Sequence, residues 1–298
     1  MLRTSSHGPA DPLDPLCRSF GAQYWPRLNA RPLLRACHLQ PTLAVTAIAT
    51  GLALSAGRGA SSVWLALAVL SGQLTVGWSN DYLDRDRDRQ AKRSDKPIVA
   101  GEVSASIVLR SATIALIFCV PLSFASGVAA GAVHLSAVAA AMAYNVGLKS
   151  TLASAVPYAY AFGAFPAFVT LGLTGSPAPP AWAVTAGALM GVGAHFVNTL
   201  PDRAADEVAE VRGLPQRLPT TLGVVIGVAF LSAAALVVTL APPGKPGATK
   251  VWFAVVALGN SAAVVGAFLV GRHRLAWSLT IALAALTVSG FIVSGSTL

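Results

Sequence analysis

Residues 62–88 read SVWLALAVLSGQLTVGWSNDYLDRDRD, an apolar run that passes without a break into Asn80, Asp84 and Asp88. As a helix the run is long enough to cross a hydrocarbon core of roughly 30 Å. The four-residue spacing keeps its three oxygen-bearing side chains near one helical face. Residues 184–206, VTAGALMGVGAHFVNTLPDRAAD, repeat the arrangement with Asn198, Asp202 and Asp206. Hard oxygen ligands aimed at one point suit magnesium, and two such faces can hold a cluster of these ions.

Outward from these stretches the chain continues in the same apolar vein. Of its 298 residues 54% are hydrophobic and 11% charged, against roughly 25% charged in soluble domains. Nine runs are long enough to span a bilayer, near 41–57, 62–80, 104–125, 127–146, 153–174, 181–200, 219–241, 250–270 and 275–295. Seven contain no charged residue; Arg110 and Lys250 lie near the ends of the other two, where a long side chain can snorkel to the interface. The expected fold is an all-α integral membrane protein, nine transmembrane helices in a single bundle. A polar segment over 1–40 precedes one domain over 41–298. That segment lacks the pattern of a cleavable signal peptide, so the first span is expected to serve as its own insertion signal.

With nine alternating spans, the N-terminus and the loops after the even-numbered spans share one side. That side carries 18 of the 21 Lys and Arg, leaving Arg58, Lys245 and Lys250 opposite, and it carries all twelve Asp and Glu. The positive-inside rule makes it cytoplasmic, in the inner membrane if the chain is bacterial. The formal charge of +9 is then a topological signal and implies no nucleic-acid partner. Cys17, Cys37 and Cys119 have no metal-type spacing and imply neither a disulfide framework nor a zinc site.

The long loops after the second and sixth runs hold most of the chemistry. Lys92, Arg93 and Lys96 follow the first motif, Lys149 follows the fourth run, and Arg203, Arg212 and Arg217 surround the second motif. Arg presents forked donors to phosphate and Lys a compact charge, while magnesium binds a few carboxylates together with phosphate oxygens. A magnesium-bridged diphosphate at the mouth of an apolar bundle describes an isoprenyl diphosphate substrate, with the lipid bilayer around it.

NDYLDRDRD resembles the Asn-Asp-x-x-Asp-x-x-x-Asp motif of the UbiA superfamily of intramembrane prenyltransferases. The nine runs, the second Asp-x-x-x-Asp after the sixth, and a Tyr followed by Lys after the fourth agree with it over residues 31–298. The resemblance implies Mg2+ held by Asn80, Asp84 and Asp88, with Asp81 supporting them, and by Asn198, Asp202 and Asp206. Asp84, Asp202, Tyr144 and Lys149 would be catalytic. Lys149 looks like the family's diphosphate-binding lysine, although Tyr144-Asn-Val-Gly-Leu-Lys149 is one residue longer than the usual Tyr-x-x-x-Lys. Lys92, Arg93, Lys96, Arg203, Arg35 and His195 complete the candidate substrate-binding set.

Several of these residues also have plainer readings. Tyr144 is either an interfacial anchor or a π face toward a developing allylic cation. His195 either meets the acceptor or makes a structural hydrogen bond between helices, and His134 is expected to do the latter. Arg35 and His38 border the entrance, Asn145 supports the site, and Pro201 can bend the sixth run before Asp202. The expected reaction transfers a prenyl group to a small aromatic acceptor. A terpene cyclase using the same metal site is the nearest alternative, and a membrane transporter a distant one, since no carboxylate lies at mid-depth.

Overall fold

The computed structural model describes residues 30–208, 210–244 and 247–298. Cys17, Lys245 and the N-terminal polar stretch up to residue 29 lie outside them. The described residues form helices with no strand: α1 (Ala30–Ala36), α2 (Leu39–Ser55), α3 (Ser62–Gln90), α4 (Ala105–Phe124), α5 (Val128–Val146), α6 (Val156–Thr170), α7 (Ala181–Asn198), α8 (Arg203–Val208), α9 (Thr220–Leu240), α10 (Ala248–Leu269) and α11 (His273–Val293). Every apolar run of the sequence contains one long helix. Among the described residues seven helices are long and apolar enough to cross a membrane, eight with α1 and α2 taken as one span broken by 68°. The sequence reading of nine spans therefore exceeds that number. The difference is α7, whose glycines, His195 and Asn198 dilute its apolar character.

Large apolar side chains point outward as well as inward. Ile117 and Phe118 on α4 and Trp252 on α10 are 63%, 59% and 67% exposed, an apolar surface suited to lipid tails. Inside, the helices approach through small residues. A Cβ on Gly187 or Gly191 would collide with the Phe162 and Tyr158 carbonyls, so this Gly-x-x-x-Gly pair lets α7 lie directly on α6. One core gathers Leu52, Leu65, Phe168, Val169, Met190 and Phe291. At the same end the buried Arg58 donates to the Phe168 carbonyl at 3.2 Å and to Ser126 Oγ at 3.0 Å. Those bonds close the bundle opposite the carboxylates.

The break between α1 and α2 falls at His38, whose φ of 55° is left-handed. Gly77 receives the Cys37 carbonyl where any side chain would collide, and Trp78 Nε1 donates to the Leu33 carbonyl at 2.8 Å. The entrance segment is thereby folded over the polar end of α3.

Candidate active site

The polar end of α3 stays helical through Gln90, so Asn80, Asp84 and Asp88 share a face as their spacing predicts. All three line a cavity of about 800 Å³, together with Asn198, Asp202 and Asp206 from the far side. The second triplet does not share a helical face. α7 ends at Asn198, residues 199–202 turn, and α8 begins at Arg203. Pro201 lacks an amide hydrogen and disfavours helix at Leu200. The chain thus reaches the cavity through a helix end, a turn and a new helical start.

The carboxylates are held by cations from other segments. Lys149 Nζ donates to Asp84 Oδ1, and Arg87 stands 3.4 Å from the same oxygen. Arg93 grips Asp95 through two bonds of 2.9 Å and lies 3.3 Å from Asp202, joining the two motif loops. Those carboxylates keep the Arg93 guanidinium charged well past its usual range, and the Arg93 bonds hold the Asp95 carboxyl below its own. Gln216 Nε2 donates to Asp206 Oδ2 at 2.8 Å. Burial still pushes the Asp206 carboxyl above the usual range, aided by the charge of Asp202.

Lys149 reaches Asp84 because α5 stops at Val146 and a 3₁₀ turn over Leu148–Ser150 follows Gly147. This turn absorbs the extra residue between Tyr144 and Lys149. Asn145, only 4% exposed, donates to the Val76 carbonyl at 2.9 Å and accepts from Asn80 Nδ2 at 3.2 Å. Asn80 Nδ2 also donates to Asp84 Oδ2 at 3.0 Å. The Asn80 nitrogen is thus engaged twice on the protein side, and its side chain also meets His38.

Other expected site residues occupy different positions. Asp81 is 2% exposed and does not line the cavity. Its Oδ1 takes Lys96 Nζ at 2.8 Å, with His38 Nε2 3.7 Å away, so it anchors the lysine from behind. The cause is one step of helical rotation, about 100° from Asn80. Lys96, Arg93 and, at the rim, Arg35 do line the cavity. Arg35 donates to Glu102 at 2.7 Å and to the Asp95 carbonyl at 2.8 Å.

Lys92 is exposed and off the cavity. At φ 52° it forms the left-handed turn that ends α3, with Arg93 N–H bonding the Asp88 carbonyl at 2.9 Å. Arg203 is also off the cavity. Its guanidinium bonds the carbonyls of Pro215, Gln216 and Leu218 at 3.2, 3.1 and 2.5 Å, so it fastens the loop that carries Gln216.

His195 stands behind the cavity wall, 1% exposed. Its Nε2 lies 2.9 Å from Ser154 Oγ, which accepts the Leu214 N–H at 2.8 Å. In front of it are Tyr144 and Tyr158, at ring distances of 5.7 and 4.8 Å. Tyr144 and Tyr158 line the cavity and meet edge to face at 5.2 Å. The Tyr158 hydroxyl engages Tyr144 and Asn198. Sequence reading passed over Tyr158; the available signal was its place one helical turn before Phe162 and two before Phe165, a stripe that also lines the cavity.

Among the described residues no three Asp, Glu, His or Cys side chains already converge on one metal position. The set nevertheless fits magnesium, which uses few carboxylates and completes its shell with phosphate oxygens and water. The Asp88 carboxylate faces the cavity with no hydrogen bond to another described residue.

Residues 41–277 match the model of the UbiA prenyltransferase family, and the chain belongs to that family. No curated protein matches the chain. Similar solved structures include an apo UbiA homologue from Aeropyrum pernix K1, 19% identical, with a TM-score of 0.66 over 85% of this chain and 97% of that one. A UbiA homologue from Archaeoglobus fulgidus, solved with GPP and Mg2+, is 15% identical with a TM-score of 0.64 over 88% of this chain and 99% of its own. A structure described for digeranylgeranylglyceryl phosphate synthase is also 15% identical, at 0.65 over 90% and 99%. Together with the apolar helices, family membership makes the chain an integral membrane protein.

Proposed function

We propose that the protein is a magnesium-dependent intramembrane prenyltransferase that moves the prenyl group of an isoprenyl diphosphate to a small, aromatic acceptor. The observation that carries this reading is the single cavity that unites both Asn/Asp triplets, Lys96, Arg93 and Lys149 with a wall of Tyr158, Phe162 and Phe165. Supporting it, the Archaeoglobus fulgidus homologue was solved with GPP or with DMAPP, each with Mg2+. Nine spans with the mouth cytoplasmic complete the proposal; the charge asymmetry of the loops argues for that orientation.

Asn80, Asp84, Asp88, Asn198, Asp202 and Asp206 would hold magnesium, which neutralises the diphosphate so that it can leave. Lys149 and Arg93 move from their carboxylate partners to phosphate oxygens as the substrate enters, an exchange of one charge-assisted bond for another. Asp81 keeps Lys96 aimed at the same head group. As the C–O bond breaks, positive charge grows on the allylic carbon, and the rings of Tyr144 and Tyr158 offer it their π faces. The apolar wall excludes water until the oriented acceptor captures the cation.

Incubation of the purified protein with prenyl diphosphates of graded length and pooled aromatic acceptors, read by mass spectrometry, tests the reading. A prenylated acceptor appearing only with magnesium is the expected result. A cyclic hydrocarbon or terpene alcohol formed equally without acceptor would replace this reading with that of a cyclase.

A further inference from the structure

Two polar side chains lie in the hydrocarbon part of the cavity and have no part in the diphosphate chemistry. Gln73 and His134 both line it. Gln73 precedes Asn80 by seven residues on α3, about 10 Å along the axis, and His134 precedes Asn145 by eleven on α5, about 16 Å. Gly72, next to Gln73 on α3, would place a Cβ 3.4 Å from His134 Nε2, so the two cavity-lining side chains leave their helices at the same depth.

The hydrogen-bond pattern fixes what His134 offers. Ser123 Oγ stands 2.6 Å from the Cys119 carbonyl and 2.7 Å from His134 Nδ1. Two oxygens at 2.6 Å without a proton between them would repel, so the one hydroxyl proton of Ser123 goes to the carbonyl. Nδ1 must then carry its own hydrogen and donate to Ser123. The ring is 5% exposed, stacked on Phe168 at 4.5 Å, with no carboxylate bonded to it, and is therefore neutral. Its Nε2 is left as a bare acceptor on the edge opposite Ser123. The Gln73 amide makes no hydrogen bond to another described residue, and it supplies both a donor and an acceptor.

An acceptor beside an amide donor, in apolar surroundings, is complementary to one hydroxyl group. A hydroxyl gives its proton to Nε2 and takes one from the amide. A hydrocarbon placed there would leave both groups desolvated and unpaired. We propose that Gln73 and His134 form a hydroxyl-binding subsite at the hydrocarbon end of the cavity. It is occupied by a neutral O–H group on one of the two substrates, and Ser123 positions the imidazole. This rests on the donor reading above. The depth matches the far end of a ten-carbon prenyl tail or of a bicyclic acceptor.

Calorimetric titration of the full chain in detergent with magnesium separates these sources. One arm compares unreactive geranyl S-thiolodiphosphate with its 8-hydroxy derivative. The other compares 2-naphthol with 2-fluoronaphthalene, with and without the plain geranyl analogue. In one arm the hydroxylated probe should bind about fivefold tighter or more, the worth of one net hydrogen bond. That preference should vanish in Gln73→Leu and His134→Phe and weaken in Ser123→Ala. Equal affinities in both arms, or a preference that survives Gln73→Leu and His134→Phe, overturn the subsite. Failure of the plain geranyl analogue to bind with magnesium overturns the donor reading itself, while the naphthol pair without that analogue still reads the subsite.

Discussion

The two Asn/Asp triplets have the same spacing and opposite architectures. The first rides on one uninterrupted helix, α3, which runs from the apolar core to Gln90. The second is spread over the end of α7, a turn at Pro201 and the start of α8. A continuous helix holds its ligands at fixed relative positions, whereas a turn between two helices leaves their separation adjustable. Partners follow the same division. Asp84 is bound by Lys149 and Asn80 from packed segments, while Asp202 is half exposed and meets Arg93 at 3.3 Å. Under the proposed function the first triplet would be the fixed jaw of a clamp, and the second the adjustable one.

The largest expected effect falls on the fixed jaw. Asp84→Ala removes a ligand oxygen and the partner of Lys149, and should lower magnesium-dependent diphosphate release by about 10³-fold or more, the upper range for removal of one preorganised electrostatic group. Single-turnover release from a reactive prenyl diphosphate is the measurement. Full activity in the folded variant would remove Asp84 from the chemistry.

Pro201→Ala tests the architectural difference directly, because it keeps every Asn and Asp of both triplets and trims only the proline ring at the cavity wall. Restoring an amide hydrogen and relaxing Leu200 lets α7 continue through the turn. The displaced second triplet should raise the magnesium concentration for half-maximal diphosphate binding by about 10- to 100-fold, as for lost support around a metal site. An unchanged requirement would mean that the turn does not position the movable jaw.

Acidity gives a further test on the second triplet. Burial holds the Asp206 carboxyl above the ordinary range despite the Gln216 hydrogen bond. As pH falls through that raised value Asp206 takes up a proton and loses a ligand oxygen, so magnesium-dependent diphosphate affinity should decline. Stability moves the opposite way. A carboxyl with a raised folded-state pKa contributes stability below its unfolded value that disappears as pH rises through the folded one. The magnesium-free protein should therefore gain stability from Asp206 on acidification while its affinity falls. Asp206→Asn should reduce the slope of both trends in paired melting and calorimetric pH series.

What the sequence conveyed about these jaws depended on helical phase. Apolar run length located every long helix, because crossing a bilayer demands it, and four-residue spacing correctly grouped Asn80, Asp84 and Asp88. The same spacing misled at Asn198, Asp202 and Asp206, where Pro201 outweighs periodicity. Charge identity without direction misassigned others. Arg203 turns to three loop carbonyls and Asp81 turns behind the cavity to Lys96. Tyr158 and Gln73 passed unnoticed because an aromatic or a lone amide in an apolar run has no spacing signature until a second helix faces it.

The smallest effect concerns where the fixed jaw ends. Lys92 follows the first motif directly, and by charge alone it belongs with Arg93 and Lys96. Its backbone instead turns at φ 52°, bringing Arg93 N–H back to the Asp88 carbonyl and sending the chain toward the cavity. In this helix ending a left-handed residue is usually glycine, since a Cβ there costs roughly 1–2 kcal/mol. Lys92→Gly should thus raise the melting temperature slightly and leave the affinity for a magnesium-bound prenyl diphosphate unchanged, by thermal denaturation and calorimetry. A loss of affinity comparable to that of Arg93→Gln would return the Lys92 ammonium to the diphosphate and move the end of the fixed jaw one residue further along the loop.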